Sequence, residues 1–137
     1  MKTALDTNIL SALWSTEPAA ARILENLQRA RALGAIVISG PVYVELAAHP
    51  TAPRNFVDKF LSETGIAVEF LLDESVWRKA ADAFGTYAQR RRRSGGASPK
   101  RLLADFLIAA HASLHADRLY TLDPGRYQQD FPKLRLL

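Results

Sequence analysis

Apolar positions along this chain switch between a strand-like and a helix-like period. Lys2–Leu5 is a short, partly apolar stretch that runs directly into Asp6, the pattern of a buried strand closed by an acid. Asn8–Trp14 reads as a short helix. Ala20, Ile23, Leu24, Leu27 and Ala30 recur at helical spacing, with Pro18 suited to the start and Gly34 to the stop. The β-branched run Ala35–Ser39 has strand length. Ser39-Gly40-Pro41 opens another helix, with Pro41 at its first position and His49-Pro50 closing it. Pro53 starts the next, packed by Phe56, Phe60 and Leu61 and ended by Gly65, and Ile66–Leu72 is a third strand. Asp73 caps a long helix to about Arg93, predicted to turn Trp77, Ala80, Ala81, Phe84 and Ala88 inward. A Gly/Ser loop over Ser94–Ser98 follows, with Ser98 capping and Pro99 beginning a helix to about Ala116. Leu119–Thr121 is a fourth strand and Leu134–Leu136 a candidate fifth.

Strands alternating with helices imply crossover connections. The expected fold is therefore α/β, a central, mostly parallel twisted sheet of four to five strands with helices on both faces. Residues 1–137 read as one domain, long enough to bury a core without staples. In such sheets ligands bind beyond the carboxyl ends of the strands.

Composition narrows the chemistry. The 18 Lys+Arg against 14 Asp+Glu give a net charge of +4, which favours a polyanionic partner such as nucleic acid. The absence of cysteine excludes disulfides, zinc ribbons and thiol catalysis, and fits a cytoplasmic protein. No apolar run approaches the roughly 18 residues of a membrane helix, and Asp6-Thr7-Asn8 interrupts what would be a signal-peptide core. The expectation is a soluble protein with no membrane association.

Four acids sit beside or inside apolar segments, where an unpaired carboxylate is costly. Asp6 follows the first strand and Asp123 follows the fourth, so both belong at one rim of the sheet. Glu45 lies in the apolar turn Pro41-Val42-Tyr43-Val44-Glu45-Leu46-Ala47. Asp105 is the sole acid of its helix, in Leu102-Leu103-Ala104-Asp105-Phe106-Leu107-Ile108. Each has a local explanation: Asp6 as a helix cap, Glu45 exposed, Asp105 paired with Arg101 at i−4, Asp123-Pro124-Gly125 as a turn. Gathered together, they would repel one another unless a hard divalent cation held them, and Mg²⁺ or Mn²⁺ takes such oxygen ligands. An ion so held suits attack of water on a phosphodiester.

The residues Leu5-Asp6-Thr7-Asn8, Val44-Glu45-Leu46, Ala104-Asp105-Phe106-Leu107-Ile108-Ala109-Ala110 and Thr121-Leu122-Asp123 resemble, in order and spacing, the motifs of PIN-domain nucleases. The similarity is greatest to the VapC-type toxins of bacterial toxin–antitoxin pairs. It implies a PIN fold and Mg²⁺- or Mn²⁺-dependent endoribonuclease activity on RNAs such as tRNA or rRNA. It also implies a cognate antitoxin and a homodimer. By the same resemblance Asp6 and Asp105 are the main metal ligands, with Glu45 and Asp123 ligating directly or through water. Thr7 or Asn8 would orient Asp6, and Thr121 would hold Asp123 or a water. Asp117 competes with Asp123 for the fourth place.

Arg90–Arg93, then Lys100 and Arg101, form the densest positive stretch. Arg91, Arg92, Arg93 and Lys100 are candidates for tracking RNA phosphates; the alternative is a solvated helix end whose arginines complement the helix dipole. His111 and His115 have zinc-binding i, i+4 spacing, but Ala112 stands where a zincin has its Glu. Trp77 and the phenylalanines are read as core. Two other functions compete with the nuclease. One is a non-cleaving PIN-like module that binds RNA or protein. The other is a phosphatase forming an aspartyl-phosphate on Asp6, which Asn8 disfavours by standing where a second Asp belongs.

Overall fold

A computed structural model describes residues 1–96 and 103–137. Among them the chain forms β1 (Thr3–Leu5), α1 (Thr7–Trp14), α2 (Ala20–Leu33), β2 (Ile36–Ser39), α3 (Gly40–Leu46) and α4 (Arg54–Thr64). β3 (Ala67–Glu69), α5 (Glu74–Arg93), α6 (Leu103–His115), β4 (Arg118–Tyr120) and α7 (Gly125–Gln128) complete it. The helix caps proposed at Ser98 and Pro99 lie outside the described residues.

The four strands make one parallel sheet in the order β3-β2-β1-β4, the α/β architecture expected. β1 holds the centre, with Ala4 opposite Val37 on one side and Leu119 on the other. Successive strands step outward from β1 to β3, and the chain then returns to β1's far side as β4. Right-handed crossovers in both directions put helices on opposite faces of the sheet. The reversal of direction falls between β1 and β4. In sheets of this kind the connections diverge at such a reversal, and the crevice at that carboxyl rim is where ligands bind.

The outermost candidate strands are shorter than the apolar runs suggest. β3 ends at Glu69 because Phe70 and Leu71 point to solvent, 65% and 87% exposed. Leu134–Leu136 contributes a single parallel bridge, Leu136 to Leu119. The core is built from Leu5, Ile9, Leu10, Ile23, Ile38, Phe106, Ile108 and Leu119. Trp77, assigned to this core from sequence, is instead half exposed, its indole Nε1–H donating to Leu72 O at 3.0 Å. α5 buries Val76, Ala80 and Tyr87, so its inward stripe is rotated from the one expected and Ala81 faces outward. Phe56 is likewise partly exposed, although it and Phe60 both pack against Trp14 edge to face. No helix among the described residues is long and apolar enough to cross a membrane.

Asp73 caps α5 as expected, accepting from Val76 N–H at 3.2 Å. α4 ends at Gly65, whose φ of 69° is the left-handed conformation a glycine adopts without a Cβ penalty.

Candidate active site

Asp6 stands at the crevice between β1 and β4, 2% exposed. Its position follows from β1: the strand is buried over its length, and the next residue begins α1 with Asp6 as N-cap. One carboxylate oxygen, Oδ1, accepts from Thr7 N–H at 2.8 Å. The other, Oδ2, accepts from Thr121 Oγ1–H and Tyr127 O–H, each at 2.8 Å. Three donors from three segments thus fix one buried carboxylate. Hydrogen bonds to a charged acceptor are each worth about 1.5–3 kcal/mol, which offsets the cost of its burial.

Thr7 and Thr121 extend this arrangement outward. Thr7 Oγ1–H donates to Glu45 Oε1 at 2.5 Å, linking the half-buried acid of α3 to the residue that caps α1. Thr7 therefore orients Glu45 with its side chain and Asp6 with its backbone. Thr121 Oγ1 also accepts from Asp123 N–H at 3.1 Å and from Asn8 Nδ2–H at 3.4 Å, while Asn8 Oδ1 accepts from Leu122 N–H at 3.2 Å. Thr121 thus holds Asp6 by its side chain and Asp123 only through the backbone, a division of labour different from the one the resemblance implied. The connection after β4 is tied to the start of α1 on both sides of Asp6.

Asp105 comes to the same place on α6 and is 5% exposed. The Arg126 guanidinium lies beside it, Nη1 3.5 Å from Asp105 Oδ1, and reaches Asp123 with Nε 3.3 Å from Oδ2. The local alternative pairing Asp105 with Arg101 involves a residue outside the described ones. Asp123 is half exposed and Arg126 40% exposed, so this side of the crevice is open. Burial works against the Arg126 charge, but the negative charges of Asp105, Asp123 and Asp6 outweigh it and raise its pKa. Tyr127 is fully buried, and burial together with the charges of Asp6 and Asp105 pushes its phenol far above the ordinary value. Beside the Asp6 carboxylate it serves as a hydrogen-bond donor.

All four acids singled out from sequence are thus linked: Glu45, Asp6 and Asp123 through two threonines, Asp105 and Asp123 through Arg126. Asp117 does not join them. Its Oδ2 accepts from Lys2 N–H at 2.6 Å, ahead of β4 and at the opposite end of the sheet. Arg126 and Tyr127 escaped sequence reading. The available signal was Arg126 at i+3 from Asp123, a same-face spacing, inside what looked like a plain Pro-Gly turn.

In kind, the donor set suits a hard divalent cation: carboxylate oxygens only, no thiolate or imidazole. In placement it does not. Among the described residues, no three Asp, Glu or His side chains stand close enough together to share an ion. A guanidinium lies between two of the acids instead. The histidine pair is also engaged elsewhere, His111 with Glu69 and His115 with Asp73, each at 2.7 Å. Burial lowers the His111 pKa, against the opposing pull of Glu69.

Of the basic stretch, Arg90 pairs with Asp130 and lies 5.8 Å above the Tyr87 ring, while Arg92 and Arg93 are exposed in the last turn of α5. Lys100 lies outside the described residues.

Residues 3–132 match the PIN domain family model, and the chain belongs to that family. Among solved structures the fold is similar over 100% of this chain to VapBC-1 from nontypeable Haemophilus influenzae, with a TM-score of 0.66 and 22% identity over 97% of that chain. It is similarly close to VapBC2 from Rickettsia felis bound to a promoter DNA fragment, with a TM-score of 0.62 and 23% identity, covering 100% of this chain and 98% of that one. FitAcB from Neisseria gonorrhoeae gives 0.65 and 21%, covering 98% and 96%. No curated protein sequence matches the chain.

Proposed function

We propose that this chain is a metal-dependent endoribonuclease, the toxin of a toxin–antitoxin pair. One observation carries it: contacts through Thr7, Thr121 and Arg126 link Asp6, Glu45, Asp105 and Asp123, from four separate segments, at the carboxyl rim of a PIN-family sheet. The solved neighbours VapBC-1 and VapBC2 support the toxin assignment by their names, and FitAB is another that has been solved on DNA. The net charge of +4 supports an RNA substrate.

Asp6 and Asp105 would be the main acids holding Mg²⁺ or Mn²⁺: both are buried, and Asp6 is fixed by three donors. Glu45 and Asp123 are more exposed and complete the set directly or through water. An ion held by these carboxylates would supply a water of lowered pKa and neutralise charge on the phosphate. The remaining work belongs to the chain. Thr7, Thr121 and Tyr127 hold the carboxylates at fixed positions, and the open side at Asp123 admits the phosphodiester. Arg92 and Arg93, both exposed, would attract the RNA backbone, on a helix that Arg90 ties to Asp130.

Incubation with total RNA tests this. Cleavage is expected with Mg²⁺ or Mn²⁺, and should vanish with EDTA and in Asp6→Asn. Cleavage that survives both changes defeats the mechanism. A second function, a PIN-fold module that binds RNA or protein without cutting, draws support from Arg126, which offsets the carboxylate repulsion without any ion. RNA binding with intact RNA under every metal condition would establish that function instead.

A further inference from the structure

The ion pairs of Arg126 have a consequence for the same crevice, and it rests on the nuclease function proposed above. The guanidinium joins Asp105 on α6 to Asp123 after β4, and the charge of Asp6 reaches it as well. The Asp105 side chain is 7% exposed and that of Arg126 40%, so the arginine enters from the solvent side over a buried carboxylate. α7, which carries it, is a single turn of four residues. We infer that Arg126 is a resident counter-cation: it takes the place of the divalent ion in the metal-free protein and leaves Asp105 when an ion binds.

Three observations converge. The acids border one crevice, yet no three of them stand within reach of a common ion. The group between two of them is itself a cation. A guanidinium keeps its charge at any pH the folded protein meets, so deprotonation offers no escape from the competition. A guanidinium and a divalent ion cannot share the Asp105 carboxylate, because like charges a few ångströms apart in a partly buried site repel strongly. Metal binding therefore requires the side chain to swing outward. Its exposure allows that, and Tyr127, anchored on Asp6, stays in place.

Full-length protein and Arg126→Gln test this by Mn²⁺ calorimetry and by the arginine Nε–H resonance during Mg²⁺ titration. Both ion pairs are long, at 3.5 and 3.3 Å, and reach the same partly exposed guanidinium, so each is a modest attraction and Arg126→Gln should bind Mn²⁺ roughly three- to thirtyfold more tightly than wild type. Without metal its melting temperature should fall, and saturating Mn²⁺ should restore it. In wild type the Arg126 Nε–H signal, held at Asp123, should move to the position of a free arginine as Mg²⁺ saturates. Equal or weaker Mn²⁺ affinity in the variant overturns the inference, as does a resonance that stays put while the ion binds. If neither protein binds Mn²⁺, the metal-dependent nuclease itself falls and the inference with it.

Discussion

Tyr127→Phe isolates one hydrogen bond that a buried carboxylate depends on. The ring is fully buried and the substitution leaves it in place, removing only the hydroxyl that donates to Asp6 Oδ2 at 2.8 Å. Asp6 keeps Thr7 N–H and Thr121 Oγ1–H, so its charge is not stranded, and the loss belongs near the lower end for a charged acceptor, about 1.5–2 kcal/mol. For a chain of this length that corresponds to roughly 5 °C in melting temperature. Asp6→Asn changes the arithmetic. Its Nδ2 can donate to the Tyr127 oxygen once that hydroxyl turns, so this one bond survives as a neutral one, while Thr121 Oγ1, which already accepts from Asp123 and Asn8, makes no such exchange. In that background Tyr127→Phe should cost only about 0.5–1 kcal/mol. A double-mutant cycle by urea unfolding at pH 7 in EDTA should therefore yield a coupling of about 1 kcal/mol. A coupling within about 0.3 kcal/mol of zero would refute a charged Asp6 held by this hydroxyl.

Two further outcomes follow from the electrostatics. Burial holds the His111 pKa below its ordinary 6.5, and the neutral ring is what the folded state prefers. Its stabilisation is complete above that value and is lost as pH falls through the lower folded one, so the urea midpoint should drop between pH 7 and pH 5. His111→Gln, which retains a donor for Glu69, should flatten that decline, and an unchanged slope would refute the assignment. Replacing Arg91, Arg92 and Arg93 with Gln should weaken RNA binding and reduce the salt slope by about 0.7 for each phosphate no longer neutralised, read by fluorescence anisotropy across a salt series. An unaltered slope would leave those arginines as a solvated helix end.

Much of this architecture is legible along the chain itself. Period-two and period-3.6 patterns depend on neighbours in sequence, and so do caps such as Asp73 and stops such as Gly65; the parallel α/β sheet follows from their alternation. The misreadings share one cause. Trp77, Ala81 and Phe70 are apolar enough for a core, but whether a face is covered depends on which element lands there, and a single helix does not record that. The acids stood out because a carboxylate among apolar residues needs compensation, a conflict visible locally. Their compensation is not local. Tyr127 reaches Asp6 across 121 positions of sequence, and Thr121 reaches it across 115. Sequence alone determined which side chains could do the chemistry. Only the folded chain decided which donors hold them, and that a cation of the protein's own stands among them, because hydrogen bonds and ion pairs act over a few ångströms of space whatever the separation along the chain.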